Sequence, residues 1–320
     1  MGMTIALITV DTELSAGLFQ RGWGADANFD ASILGRAAQG DFGIGWQMDR
    51  LDEHGLKAIF FVDPAPALVL GGDVIARIVD MVASRGHYIE LHMHAEWLTW
   101  AENPPIAARA TNVGDLQAAD QAALLGWGCD LLERLGAPTI SAFRAGNFGA
   151  DDATIAALGQ LGMAWDSSFN PAFAGGACRI SLPADSIDPI VIGAVTQMPV
   201  SGIWASPGQF RPAQICALSA REMTGALRHA AETHRPCFNI VTHSFEMLSR
   251  DRQRPNRTVM RRFIAMCEAI SAQDNLACGH FADVPETAAT PPTRLPANRW
   301  RTALRHGEQA LATILYERRA

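Results

Sequence analysis

The chain has 320 residues, 48% of them apolar and 18% charged, with a formal net charge of −7 at pH 7. Such a composition belongs to a globular protein rather than a disordered one, and one barrel-sized domain is the default at this length. The negative balance and the lack of any Lys/Arg run exclude nucleic acid as an expected partner, and no apolar stretch approaches the ~20 residues that span a bilayer.

Six cysteines, Cys129, Cys178, Cys216, Cys237, Cys267 and Cys278, are scattered with no CxxC spacing and read as buried free thiols. The N-terminus runs from Met1 through Thr4 to Val10 and then meets acidic residues, with no basic n-region and no small-residue cleavage site. A cytoplasmic address is the expectation.

In chain order, a β-rich apolar run predicts a strand over Ile5 to Val10. Leu14 to Phe42 is Gly-rich, carries Phe19, Trp23 and Phe29, and reads as a long loop. A helix is expected over Gly45 to His54, a strand over Lys57 to Val62, and a helix over Asp73 to Arg85. The strand His87 to His92 leads into a second irregular stretch, Ala95 to Asn112, with Trp97, Trp100 and Pro104-Pro105. A helix over Asp115 to Leu135, a strand over Thr139 to Phe143, a helix over Asp152 to Leu161 and a strand over Met163 to Trp165 follow. Val195 to Val200 and Phe238 to Thr242 are the last expected strands, with helices over Ala220 to Thr233 and Arg257 to Ser271.

This alternation is that of βα units on a mostly parallel sheet. Asp11, Asp63, His92, Arg144, Asp166 and His243 each stand at or just past the C-terminal end of an expected strand. In a parallel β/α barrel those ends meet at one face, where active sites are built. An open doubly wound sheet also places ligands at strand C-termini, so the pattern alone does not choose between them. Both irregular stretches directly follow reactive clusters and are candidate substrate walls. After Asp283 come Pro285-Glu286, Pro291-Pro292 and Pro296, then an amphipathic pattern from Arg299 to Arg319. The expected organisation is a barrel over 1–285, with 286–320 a Pro-rich connector and a helix packing on the barrel or on a second subunit.

Four clusters carry chemistry. Asp11-Thr12-Glu13 places two carboxylates on one side if the extended backbone persists, which suits a base and a metal ligand. In the run from His87 to Trp97, His92 and His94 share a face if the strand continues, and His92 and Glu96 share one if the chain turns helical. Imidazole beside carboxylate suits zinc and comparable divalent ions, and the spacing leaves His94 and Glu96 as alternatives. Arg144 is followed by Ala145-Gly146, and a cation at that strand end can hold Asp11 ionised. His243 leaves a strongly apolar strand and suits a general acid.

Together these residues resemble the motifs of the polysaccharide deacetylases, carbohydrate esterase family four, as a divergent member. Val10-Asp11-Thr12-Glu13 is similar to the first motif, Gly86 to Glu96 to the second, and Phe143-Arg144-Ala145-Gly146 to the third. Asp166-Ser167-Ser168 with Met198-Pro199-Val200 is similar to the fourth, and Thr242-His243-Ser244 to the last. The resemblance covers about Thr4 to Pro285 and implies a distorted (β/α) barrel of seven rather than eight strands. It also implies metal-dependent hydrolysis of an N-acetyl or related acyl group. The roles it implies are Asp11 as base, Glu13 and His92 as metal ligands, Arg144 as the orienter of Asp11, and His243 as acid, with Asp166 in the catalytic set. The chain departs from the pattern where adjacent aspartates, a second histidine four residues after the first, and a proline in the third motif are usual.

The expected activity is therefore removal of an acyl group from an N-acylated amino sugar by a divalent-metal enzyme, zinc above all. Hydrolysis of a small cytoplasmic amide and a non-catalytic carbohydrate-binding barrel are the alternatives. A small-molecule or oligosaccharide substrate and a homo-oligomer complete the expectation, with no nucleic acid or membrane partner.

Overall fold

The computed structural model describes residues 3–285 and 293–317. The strands that matter for the site are β1 (Thr4–Thr12), β2 (Ile59–Val62), β3 (Tyr88–Met93), β4 (Ala142–Ala145), β5 (Trp165–Asp166), β6 (Val195–Gln197), β7 (Cys237–His243) and β8 (Leu276–Cys278). The longer helices are α1 (Ile44–Glu53), α2 (Gly72–Ala83), α3 (Ala118–Arg134), α4 (Asp152–Gln160), α5 (Ala220–Glu232), α6 (Arg257–Ser271) and α7 (Arg299–Ala312). The chain is thus an α/β fold on a mostly parallel sheet. Its described residues divide into two compact units, one from Met1–Val10, Asp30–Ala58 and Val200–Ala320, the other from Asp11–Phe29 and Ile59–Pro199.

In the second unit the parallel order is β2-β3-β4-β5-β6, and the short strand Ile190–Ile192 adds antiparallel to β6. All four residues of β2 and of β4 are buried, the near-continuous burial of strands covered on both faces. α2 turns Val74, Ile75, Ile78, Val79 and Val82 inward at helical spacing. Each such side chain contributes about 1.5–3 kcal/mol by leaving water. The register sets His92 opposite Arg144 and Phe143 opposite Asp166, so polar groups of neighbouring strands come level.

In the first unit β7 and β8 both accompany β1, with β8 parallel and Thr4 opposite Leu276. Buried threonines of β1 donate to carbonyls, Thr9 Oγ1 to Ile240 at 2.6 Å and Thr4 Oγ1 to Arg235 at 2.7 Å. α5 starts at a capping box of Ser219 and Glu222, and α6 at an Asn256 cap. α7 docks in this unit through Arg305, whose Nε lies 3.1 Å from Glu222 Oε1, both side chains 1% exposed. Its other face exposes Trp300, Leu304 and Leu311.

Every expected strand has its counterpart, with shifts that have local causes. Thr139 to Ser141 stays out of β4 because the Ser141 and Ala142 amides donate to the Glu90 carboxylate at 2.8 and 2.7 Å instead of extending a ladder. β6 stops before Pro199, which has no N–H to donate. Leu14 to Phe42 is not structureless: it holds short helices at Ala16–Gln20 and Ala25–Phe29. Ser15 caps the first, and Asn28 exchanges two hydrogen bonds with the Ser15 backbone. None of the six cysteines is in a disulfide, but only Cys178, Cys237 and Cys267 are buried as expected; Cys129 and Cys278 are half-buried, and Cys216 is exposed in a turn. Glu286 to Pro292 of the expected connector, and Arg318 and Arg319 of the expected helix, lie outside the described residues. No helix among the described residues is long and apolar enough to cross a membrane.

Candidate active site

β1 ends in the second unit, placing Asp11 at a buried position with Glu13 just beyond it. β3 delivers His92, and the extended backbone at His94 (φ −100°, ψ 101°) keeps both imidazoles on one face. Glu13 Oε2 lies 2.5 Å from His94 Nε2 and 3.4 Å from His92 Nε2. The two rings meet edge to face at 4.9 Å. Ligand atoms of Glu13, His92 and His94 all fall within 4.8 Å of one another, a candidate metal-binding cluster.

The supporting contacts fix its geometry. His92 Nδ1 sits 2.7 Å from the Arg144 carbonyl, which can only accept, so Nδ1 carries a hydrogen and Nε2 is the ring nitrogen that faces Glu13. Burial pushes the Glu13 carboxyl up, but His94 and His92 outweigh it and hold it well below the usual carboxylate range. Burial pulls His94 down, yet Glu13, Asp63 and Glu96 bring it up to about 10. Two imidazoles and a carboxylate gathered at a mostly buried position are the donor set of a zinc-like ion. A further observation fits such an ion: Asp63 Oδ2 is buried with no hydrogen-bond partner among the described residues. Gly146 makes room for the ligand. A Cβ there would lie 2.7 Å from Cγ and Nδ1 of His94, so no other residue fits without moving the ring.

Asp63, at the end of β2, accepts from the Ala65 amide at 3.0 Å and the His94 amide at 3.4 Å, and burial raises it to about 6 against the pull of His94 and His92. Glu96 stands outside the three-residue cluster, on the turn Ala95–Thr99, with Oε1 3.9 Å from His94 Nδ1 and its side chain 35% exposed.

Asp11 and Arg144 form a buried pair, Nη1 to Oδ1 at 2.7 Å. The guanidinium is held further by the Ser167 hydroxyl at 2.9 Å and carbonyl at 3.3 Å, and lies over the Phe61 ring at 4.4 Å. Asp166 accepts from the Ser168 hydroxyl at 2.6 Å and amide at 3.0 Å, and Ser168 Oγ accepts from the Ala145 amide. Burial, only partly offset by those bonds, raises Asp166 to about 6.

His243 belongs to the first unit, at the end of β7, with its side chain 25% exposed. Its Nδ1 lies 2.7 Å from Glu246 Oε1, while Glu246 Oε2 accepts from the Thr242 hydroxyl at 2.9 Å. Gln47 Nε2 donates to the His243 carbonyl at 2.9 Å. Sequence reasoning missed Glu246; a carboxylate three residues past a strand-end histidine was the available signal. It also left Asp63 without a role, although Asp63 was placed at a strand end.

No family profile and no curated protein matches this chain. Solved structures do. A protein from Mycobacterium smegmatis assigned as a polysaccharide deacetylase is 17% identical, with 92% of this chain and 96% of that one covered and a TM-score of 0.57. The 4-alpha-glucanotransferase of Thermococcus litoralis is 9% identical at a TM-score of 0.52, with 93% of this chain covering 42% of that one. At these identities the likeness is one of fold.

Proposed function

We propose that the chain is a metal-dependent hydrolase of polysaccharide-deacetylase type that removes an acetyl or related acyl group from an N-acylated amino sugar. The observation that carries the proposal is the Glu13, His92 and His94 cluster, ligand atoms within 4.8 Å, in the same unit as the buried Asp11–Arg144 pair. The fold shared with the Mycobacterium smegmatis protein supports it. The finer description of the fold, a distorted seven-stranded barrel over 1–285 with 286–320 appended, is part of the same proposal, as are a cytoplasmic location and a small-molecule or oligosaccharide substrate.

Glu13, His92 and His94 would hold a divalent ion, zinc by the donor set, with Glu96 as an outer group reaching His94. Such an ion, when bound, polarises an acyl carbonyl and acidifies water. Asp11 takes the proton of the attacking water, and Arg144 keeps Asp11 ionised and fixed in direction. Asp166 acts at a remove, through Ser168 and the Ala145 amide, on the strand carrying Arg144. The general-acid role proposed for His243 is supported within its own unit, where Glu246 holds Nδ1 so that Nε2 can present an acidic hydrogen. Turnover of N-acetylated chitooligosaccharides by protein stripped with a chelator and then reloaded with zinc tests the proposal. Loss and restoration of hydrolysis are expected; full activity in metal-free protein, or turnover of small cyclic amides alone, overturns it.

A further inference from the structure

The first unit holds a cavity of about 570 Å³ whose lining includes Glu246, Arg250, Arg252, Asn256 and Arg262. Its size is that of a site for a sugar-sized molecule. Three arginines against one acid is an unusual lining for a chain with a net charge of −7. The acid is already engaged, since the Glu246 carboxylate meets the Thr242 hydroxyl and His243 Nδ1.

The arginines are presented by a built turn. Ser249 Oγ and the Gln253 amide both donate to Asp251 Oδ1, at 2.5 and 3.0 Å, and the Arg254 amide donates to Ser249 Oγ at 3.1 Å. Those bonds hold the Asp251 carboxyl below its usual range. At the apex Arg252 takes φ 58°, a conformation uncommon for a non-glycine residue that persists only where the surroundings impose it. Its guanidinium is fixed by Ser32 Oγ at 2.6 Å and lies over the Phe245 ring at 4.6 Å. Arg250 is exposed, and its guanidinium has no ion pair or hydrogen bond among the described residues. Arg262 is buried and neutralised by Glu308 at 2.6 Å. The first turn of α6, a helix of 15 residues, also lines the cavity at Thr258 and Val259 and adds the positive end of its dipole.

We propose that this cavity binds a small sugar-sized anion, with Arg250 and Arg252 gripping its carboxylate or phosphate group. An arginine with no side-chain partner among the described residues, beside one locked in place, offers the planar donors such groups accept. Binding here needs neither a metal nor turnover, so it stands whether or not the chain is a hydrolase.

Titration calorimetry on the full chain with glucuronate, glucose 6-phosphate and glucose tests this. One or both anions are expected to bind and glucose not to; glucuronate alone identifies a sugar acid, glucose 6-phosphate alone a sugar phosphate. Arg250→Ala is expected to weaken binding about tenfold or more, the loss of a charge-assisted contact. Arg252→Gly, which accepts the positive φ without strain, should do the same while leaving the fold intact. Arg254→Ala, outside the lining, should change nothing. Anions binding no better than glucose, or affinity unchanged in both Arg250→Ala and Arg252→Gly, overturns the proposal.

Discussion

Replacing Arg144 by methionine removes a guanidinium that is 0% exposed from a carboxylate whose side chain is 4% exposed. The methionine fills much of the volume but leaves the Asp11 charge without its partner at 2.7 Å, and Ser167 without the donor it meets at 2.9 Å. Breaking one side of a buried pair costs about 3–5 kcal/mol, mostly the penalty of the charge left behind. Adding Asp11→Asn removes that charge, so the double variant should recover about 2 kcal/mol relative to the sum of the two single changes. Urea unfolding of the wild type, both singles and the double gives the cycle directly, and the m-value checks that the transition remains comparable. A loss below about 1 kcal/mol in Arg144→Met, or additivity within about 0.5 kcal/mol, would show that the pair does not hold Asp11 as its geometry indicates.

Asp166 makes stability depend on pH. Its carboxyl rises from 3.8 to about 6 on folding, so the folded state holds the proton longer, and the stabilisation present below pH 3.8 is lost as pH climbs toward 6. At 1.36 kcal/mol per pH unit the contribution is about 3 kcal/mol, and Asp166→Asn should flatten that part of a stability profile; an unchanged slope contradicts it. Gly146→Ala forces a Cβ to within 2.7 Å of the His94 ring, so zinc affinity measured by competition with a chelator should fall about 10–100-fold, and an unchanged affinity would place His94 elsewhere. Glu246→Gln should lower kcat about tenfold or more with KM nearly constant, because it loosens the hold on His243 Nδ1 without touching the metal cluster. A raised KM with kcat unchanged would point to a binding role instead.

The sequence carried the strands and most of the reactive residues because both follow from local pattern. Apolar runs ending in a single polar residue mark strand ends, and Asp11, His92, Arg144, Asp166 and His243 all stand where that rule put them. What it could not carry depends on contacts between distant segments. His94 and Glu96 were equivalent by spacing; the extended backbone at His94, and the room left by Gly146 just past the end of β4, put His94 in the cluster with Glu13. Glu90 was legible only as a strand residue, yet its carboxylate decides where β4 begins. The short helices within Leu14 to Phe42 rest on the Ser15 and Asn28 exchange, a pairing across 13 residues that no periodicity reveals.

The metal content of purified protein, measured per chain in the wild type, Glu96→Gln and His94→Ala, bears most directly on the proposed centre. About one divalent ion is expected in the wild type and in Glu96→Gln, and close to none in His94→Ala. Metal retained by His94→Ala and lost from Glu96→Gln would contradict the Glu13, His92 and His94 site.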